Sequence, residues 1–166
     1  MNIKTKKIFI IAFIILGFNY GVSYQQFLHF DWTDARGLGD STSYLGMSNG
    51  DSGIASVHRY RIIIPFLVDL IRDAIQPLIP VEKLNIIDAL SFYLVNYVIT
   101  SLAGLFLYLY LIALKFKPER SLLGVFIFLG SRITIISTGA PIVDSLYYLA
   151  IIVILYFCLT HRSIAL

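Results

Sequence analysis

The chain has 166 residues, 58% of them hydrophobic and 14% charged, with a formal net charge of +3. Together with a mean hydropathy of +0.80, this lies well to the apolar side of soluble globular usage and reads as an all-α integral membrane protein. The basic residues sit mainly at the ends of apolar runs, which argues against nucleic acid as a partner; the single cysteine, Cys158, lies inside an apolar run and excludes an internal disulfide or a cysteine-based metal site.

Lys4, Lys6 and Lys7 precede an apolar run at residues 8–24, so residues 1–24 read as a first membrane span with a cytoplasmic N-terminus. A cleaved secretory signal ending near Gly21-Val22-Ser23 is the competing reading. In both, Gln25 emerges on the outer face. Residues 25–61 form the one long hydrophilic interval and carry Asp31, Asp34, Asp40, Asp51, His29, His58, Arg36, Arg59 and Arg61. Their Gly, Ser, Asp and Thr favour turns and short capped helices. Asp40 ahead of Ser41-Thr42-Ser43-Tyr44-Leu45 predicts a helix start whose free N–H groups the carboxylate satisfies, and Gly50 to Gly53 predicts its end.

Residues 62–80 are apolar enough to suggest a span, yet Asp69, Arg72, Asp73 and Gln76 recur at i, i+3, i+4 and i+7, one face of a helix. Crossing the bilayer would bury three charges, so the pattern predicts a helix lying in the membrane plane, with Arg72 paired to Asp69 and Asp73. Residues 84–114 predict a second span, longer than the hydrocarbon core, whose first turns with Asn85 and Asp88 protrude. Lys115, Lys117 and Arg120 mark a cytoplasmic turn. A third span over 121–137 holds Arg132 toward its outer end; Ser137-Thr138-Gly139-Ala140-Pro141 breaks it, and a fourth over 142–160 starts near Asp144 and ends at His161 and Arg162. The expected architecture is therefore about four transmembrane helices with one interfacial helix in a single cell-membrane domain, both termini inside and the loop 25–61 outside.

This topology brings Asp31, Asp34, Asp40, Tyr44, His58, Arg59, Arg61, Arg132 and Asp144 to one membrane face. Arginines that hold phosphate oxygens, beside a carboxylate that deprotonates a hydroxyl, suit a reaction between an anionic lipid-linked donor and an acceptor. Arg59 and Arg61 as anchors for lipid headgroups, and Arg132 with Asp144 as an ion pair within the bundle, remain open alternatives. Asp31-x-x-Asp34 is a candidate for a divalent cation, since hard metals take oxygen ligands.

Gly39-Asp40-Ser41-Thr42-Ser43-Tyr44-Leu45, a Gly/Ser spacer, and His58-Arg59-Tyr60-Arg61-Ile62-Ile63-Ile64-Pro65 resemble the first outer loop of the GT-C superfamily of polyprenyl-phosphate-sugar-dependent glycosyltransferases. Pro141-Ile142-Val143-Asp144-Ser145-Leu146 is similar to a later outer loop of those enzymes. The resemblance implies that Asp40 is the catalytic base, with Asp34 or Asp31 in that place if the alignment shifts. It also implies that Arg59 and Arg61 bind the donor phosphate, that Asp144 lines the same cavity, and that a lipid-linked sugar is the donor; Tyr44 and Arg132, on the same membrane face, are further candidates for binding it. That superfamily shares a module of about seven spans, so four spans lead to the expectation of an N-terminal part whose remaining helices, or a partner subunit, complete it. The rival reading is a non-catalytic four-span protein acting as an assembly subunit or lipid-binding scaffold.

Overall fold

The computed structural model describes residues 3–30, 40–51, 61–78 and 84–162. Among them every regular element is helical: α1 (Ile3–His29), α2 (Ser41–Ser48), α3 (Ile63–Ile75, with a 3-10 turn Gln76–Leu78), α4 (Leu84–Ala113), α5 (Pro118–Leu129), α6 (Arg132–Gly139) and α7 (Asp144–Arg162). Asp31, Asp34, Arg36, His58 and Arg59, in the stretches 31–39 and 52–60 of the expected outer loop, lie outside the described residues. The protein is an all-α membrane protein, in which α1, α4 and α7 are each long and apolar enough to cross a bilayer.

The 30 residues of α4 amount to ~45 Å of helix, and the rest of the bundle packs around it. On α1, Asn19 Nδ2 donates to Thr100 Oγ1 and Ser101 Oγ at 2.9 Å each, and the hydroxyls of Ser23 and Tyr93 share a hydrogen bond of 3.2 Å. Numbering that rises on one helix as it falls on the other makes α1 and α4 antiparallel. A side chain at Gly104 would come within 3.2–3.3 Å of Ile15, Val125 and Leu129, and one at Gly124 within 3.0 Å of Leu111, so α5 also runs against α4. By contrast α7 runs along it, with Ser145 donating to Asn96 Oδ1 and the Phe106 and Tyr156 rings 5.9 Å apart.

A single helix is expected over 121–137, but the structure divides it. The chain bends by 63° between α5 and α6. Ser131 explains the break: in extended conformation it caps a new helix, its hydroxyl accepting from the Thr134 N–H. Gly130 fits the bend because a Cβ there would sit 2.9 Å from the Phe126 carbonyl oxygen. The first helix runs on through residue 24 to His29, its polar last turns held by packing: Phe27 meets the Tyr93 ring at 4.7 Å, and Gly139 lies so near that a Cβ would clash with Gln26.

On α3 the side chains sort into three faces. Ile64 and Val68 are buried against Tyr44, Phe92, Val95, Ile99 and Val143, and Pro65 is buried as well. Asp69, Arg72 and Asp73 form a second face, and Ile63, Phe66 and Leu70 a third that the protein leaves uncovered. At 13 residues, ~20 Å, α3 is too short to cross a hydrocarbon core of ~30 Å. A helix with one protein-facing, one polar and one apolar outward face suits the boundary between lipid and water.

Candidate functional site

The end of the bundle that carries α2 and α3 also gathers the polar chemistry. Asp40 stands just before α2, as its sequence position predicts, but its carboxylate makes no capping hydrogen bond. Instead it lies 3.7 Å from Arg61 Nη1. The same guanidinium nitrogen donates to Tyr44 Oη at 2.7 Å. Four residues separate Asp40 from Tyr44, one helical turn, so both face the strand of chain that leads into α3. Gly50, at φ 80°, ends α2 in the left-handed conformation that glycine accepts without strain.

Tyr44 is buried and Arg61 half-buried, while the Asp40 side chain is 49% exposed. Burial pushes the Tyr44 phenol above its ordinary value, with the Arg61 hydrogen bond pulling part of the way back and the charges of Asp40 and Asp144 adding to the rise. The hydrogen bond to Tyr44 raises Arg61 further, so the guanidinium is a fixed cation.

The Arg61 guanidinium also sits 5.9 Å from the centroid of the Tyr147 ring, within cation–π range. Behind it is a pocket of about 170 Å³ lined by Arg61, Ile63, Ile64, Val143, Leu146 and Tyr147. Its floor is apolar and one wall is the cation. The α7 side of this pocket is fixed from within the bundle: Asn96 Nδ2 donates to the carbonyls of Ala140 and Ile142 at 3.2 and 3.0 Å and its Oδ1 accepts from Ser145. That clamp fixes the turn from which Asp144 opens α7, its carboxylate at the positive end of the helix dipole.

Of the residues expected at the site, the structure brings Asp40, Tyr44 and Arg61 together, with Asp144 near enough for its charge to act on Tyr44. Arg132 stands apart. It opens α6, is exposed, and makes no ion pair with Asp144 among the described residues. Asp34 and Arg59 fall outside the described residues, as does the Asp31-x-x-Asp34 pair considered for a cation. Among the described residues no group of three or more His, Cys, Asp or Glu side chains is placed to hold a metal.

Tyr147 and Asn96 were not anticipated. Tyr147 follows Asp144 by three positions and so shares its helix face, a spacing the sequence displays. The signal for Asn96 was its place in an apolar run with Thr100 one turn later, since a polar side chain inside a span ordinarily faces the bundle. No family model, curated protein or solved structure matches this chain.

Proposed function

We propose that the protein is a membrane glycosyltransferase of the GT-C type, or the N-terminal part of one, which moves a sugar from a polyprenyl-phosphate donor at the outer membrane face. The observation that carries this reading is the contact of one guanidinium with a buried tyrosine and an accessible carboxylate at the mouth of an apolar pocket. Arg61 holds the donor phosphate by charge-assisted hydrogen bonds, and the first isoprenoid carbons rest against Ile63 and Tyr147. Asp40 takes the proton of an acceptor hydroxyl as that oxygen bonds to the anomeric carbon. The bond from that carbon to the phosphate oxygen breaks, and polyprenyl phosphate leaves with the electron pair, its charge balanced by Arg61.

The outer-face assignment is supported by charge. The antiparallel packing gathers Lys6, Lys7, Lys115, Lys117, Arg120 and His161 at the end opposite α2 and α3, and basic residues favour the cytoplasmic side. A second reading, a non-catalytic scaffold, is favoured by the engagement of Arg61 with Tyr44 and Asp40, which ties α2 to the chain entering α3.

The test is transfer of radiolabel from a polyprenyl-phosphate sugar to an acceptor in membranes containing the full-length protein. Turnover is expected, and Asp40→Asn should abolish it with membrane insertion unchanged. Turnover that survives Asp40→Asn removes Asp40 from the mechanism, and no transfer by the wild type favours the scaffold.

A further inference from the structure

In a bilayer crossed by α4, Arg132 falls at a depth where lipid gives it no partner. Leu129, three residues earlier, packs at Gly104 beside Ile15. Gly104 precedes the inner end of α4, Ala113, by nine residues, or ~14 Å, close to the middle of a ~30 Å hydrocarbon core. Since α6 turns away by 63°, the three residues from Leu129 to Arg132 add little height. Arg132 is exposed there, next to Ile133 at 67% exposure on α6, and Ile127 on α5 is also 67% exposed. Leu123, Ile127 and Gly130, at i, i+4 and i+7, are exposed on one face of α5 that leads into the bend.

Lipid is a poor cover for this face. An arginine at mid-depth is costly unless paired, and an interruption in a helix is tolerated in the hydrocarbon only where protein or water covers it. No described residue supplies the countercharge. The acidic residues of the spans stand at their ends: Asp88 and Asp144 at the end bearing α2, Glu119 at the opposite one. A second copy would therefore bring no described carboxylate to this level.

We propose that the outward face of the α5–α6 bend is a docking surface for a membrane-spanning helix of a partner protein, carrying an Asp or Glu at mid-depth that pairs with Arg132. Gly130, without a side chain, lets that helix approach the bend closely, and Leu123, Ile127 and Ile133 pack along it. This surface does not depend on the sugar-transfer reading, since it shares no residue with the Arg61 pocket.

The probe is a single-span leucine peptide with glutamate at its centre, compared with versions carrying glutamine or lysine there. Association with the full chain is read by fluorescence energy transfer in phosphatidylcholine vesicles. The glutamate peptide should bind about tenfold more tightly than the glutamine peptide, the size expected of a polar contact between helices. Arg132→Leu should erase that preference, and Arg132→Glu should transfer it to the lysine peptide. Equal binding of the glutamate and glutamine peptides to the wild type overturns the proposal without any variant. So does a preference that survives Arg132→Leu, or association that follows the anionic lipid content and ignores the peptide carboxylate, which would assign Arg132 to phospholipid headgroups.

Discussion

Arg61 and Tyr44 form a pair whose protonation is insensitive to pH. Both are shifted upward, Tyr44 by burial and Arg61 by the hydrogen bond to Tyr44, so a neutral phenol faces a permanent cation. An unperturbed tyrosine loses its proton near pH ~10, and the raised Tyr44 keeps it to higher pH still. Neither group therefore titrates between about pH 7 and 9, and donor KM should stay flat across that interval. Replacing Arg61 tests geometry rather than charge. Lysine keeps the positive charge but cannot donate along a planar fork while lying over the Tyr147 ring. Arg61→Lys should raise donor KM at least tenfold, about 1.4 kcal/mol, with kcat much less affected. An Arg61→Lys enzyme with unchanged KM would mean that a point charge suffices and that the contacts with Tyr44 and Tyr147 do not orient the donor.

Among the helices, α2 depends on contacts from outside itself. Eight residues are too few to be stable alone, and its end is secured by Arg72. The Arg72 Nη1 donates to the Ser48 carbonyl at 2.7 Å and to Asn49 Oδ1 at 2.6 Å, satisfying a terminal acceptor and meeting the negative end of the helix dipole. The guanidinium also pairs with Asp69, and Asp88 of α4 lies 3.8 Å away. Arg72→Met keeps the apolar stem and removes these bonds, each worth about 1.5–3 kcal/mol to a charged group. Amide hydrogen exchange in α2 should accelerate by ten- to a hundredfold, with α4 unchanged, on the scale of tenfold per ~1.4 kcal/mol. Equal exchange in the variant would show that the Tyr44 contacts alone hold α2. The sequence displayed the Asp69–Arg72–Asp73 stripe, because helical spacing is local. It did not display Ser48, Asn49 or Asp88, which reach Arg72 only through the tertiary path of the chain. The missing cap bond at Asp40 has the same origin: the N-cap position is a local rule that the sequence displays, whereas Arg61, near its carboxylate, comes 21 positions later.

At the scale of the whole molecule, apolar runs made the spans legible, since length and hydropathy are enough to specify a bilayer-crossing helix. The division of residues 121–137 escaped because Gly130-Ser131 is a weak breaker, acting here through one hydroxyl cap and one crowded carbonyl. The polar seam of Asn19, Asn96, Thr100, Ser101, Thr138 and Ser145 was visible residue by residue, yet its function, fixing which helix faces meet, emerges only when the helices are assembled. That assembly yields a test of orientation. Asn49 is exposed beside α2, and Lys117 is exposed at the opposite end. With Cys158 replaced by serine, Asn49→Cys should react with a membrane-impermeant maleimide in intact cells, and Lys117→Cys only after permeabilisation. Asp73→Cys, on the polar face of α3, should label from the same side as Asn49→Cys, because α3 is too short to carry it across. The reverse pattern would put Asp40 and Arg61 on the cytoplasmic side. A donor on the outer leaflet would then never meet them, whatever the geometry of the pocket.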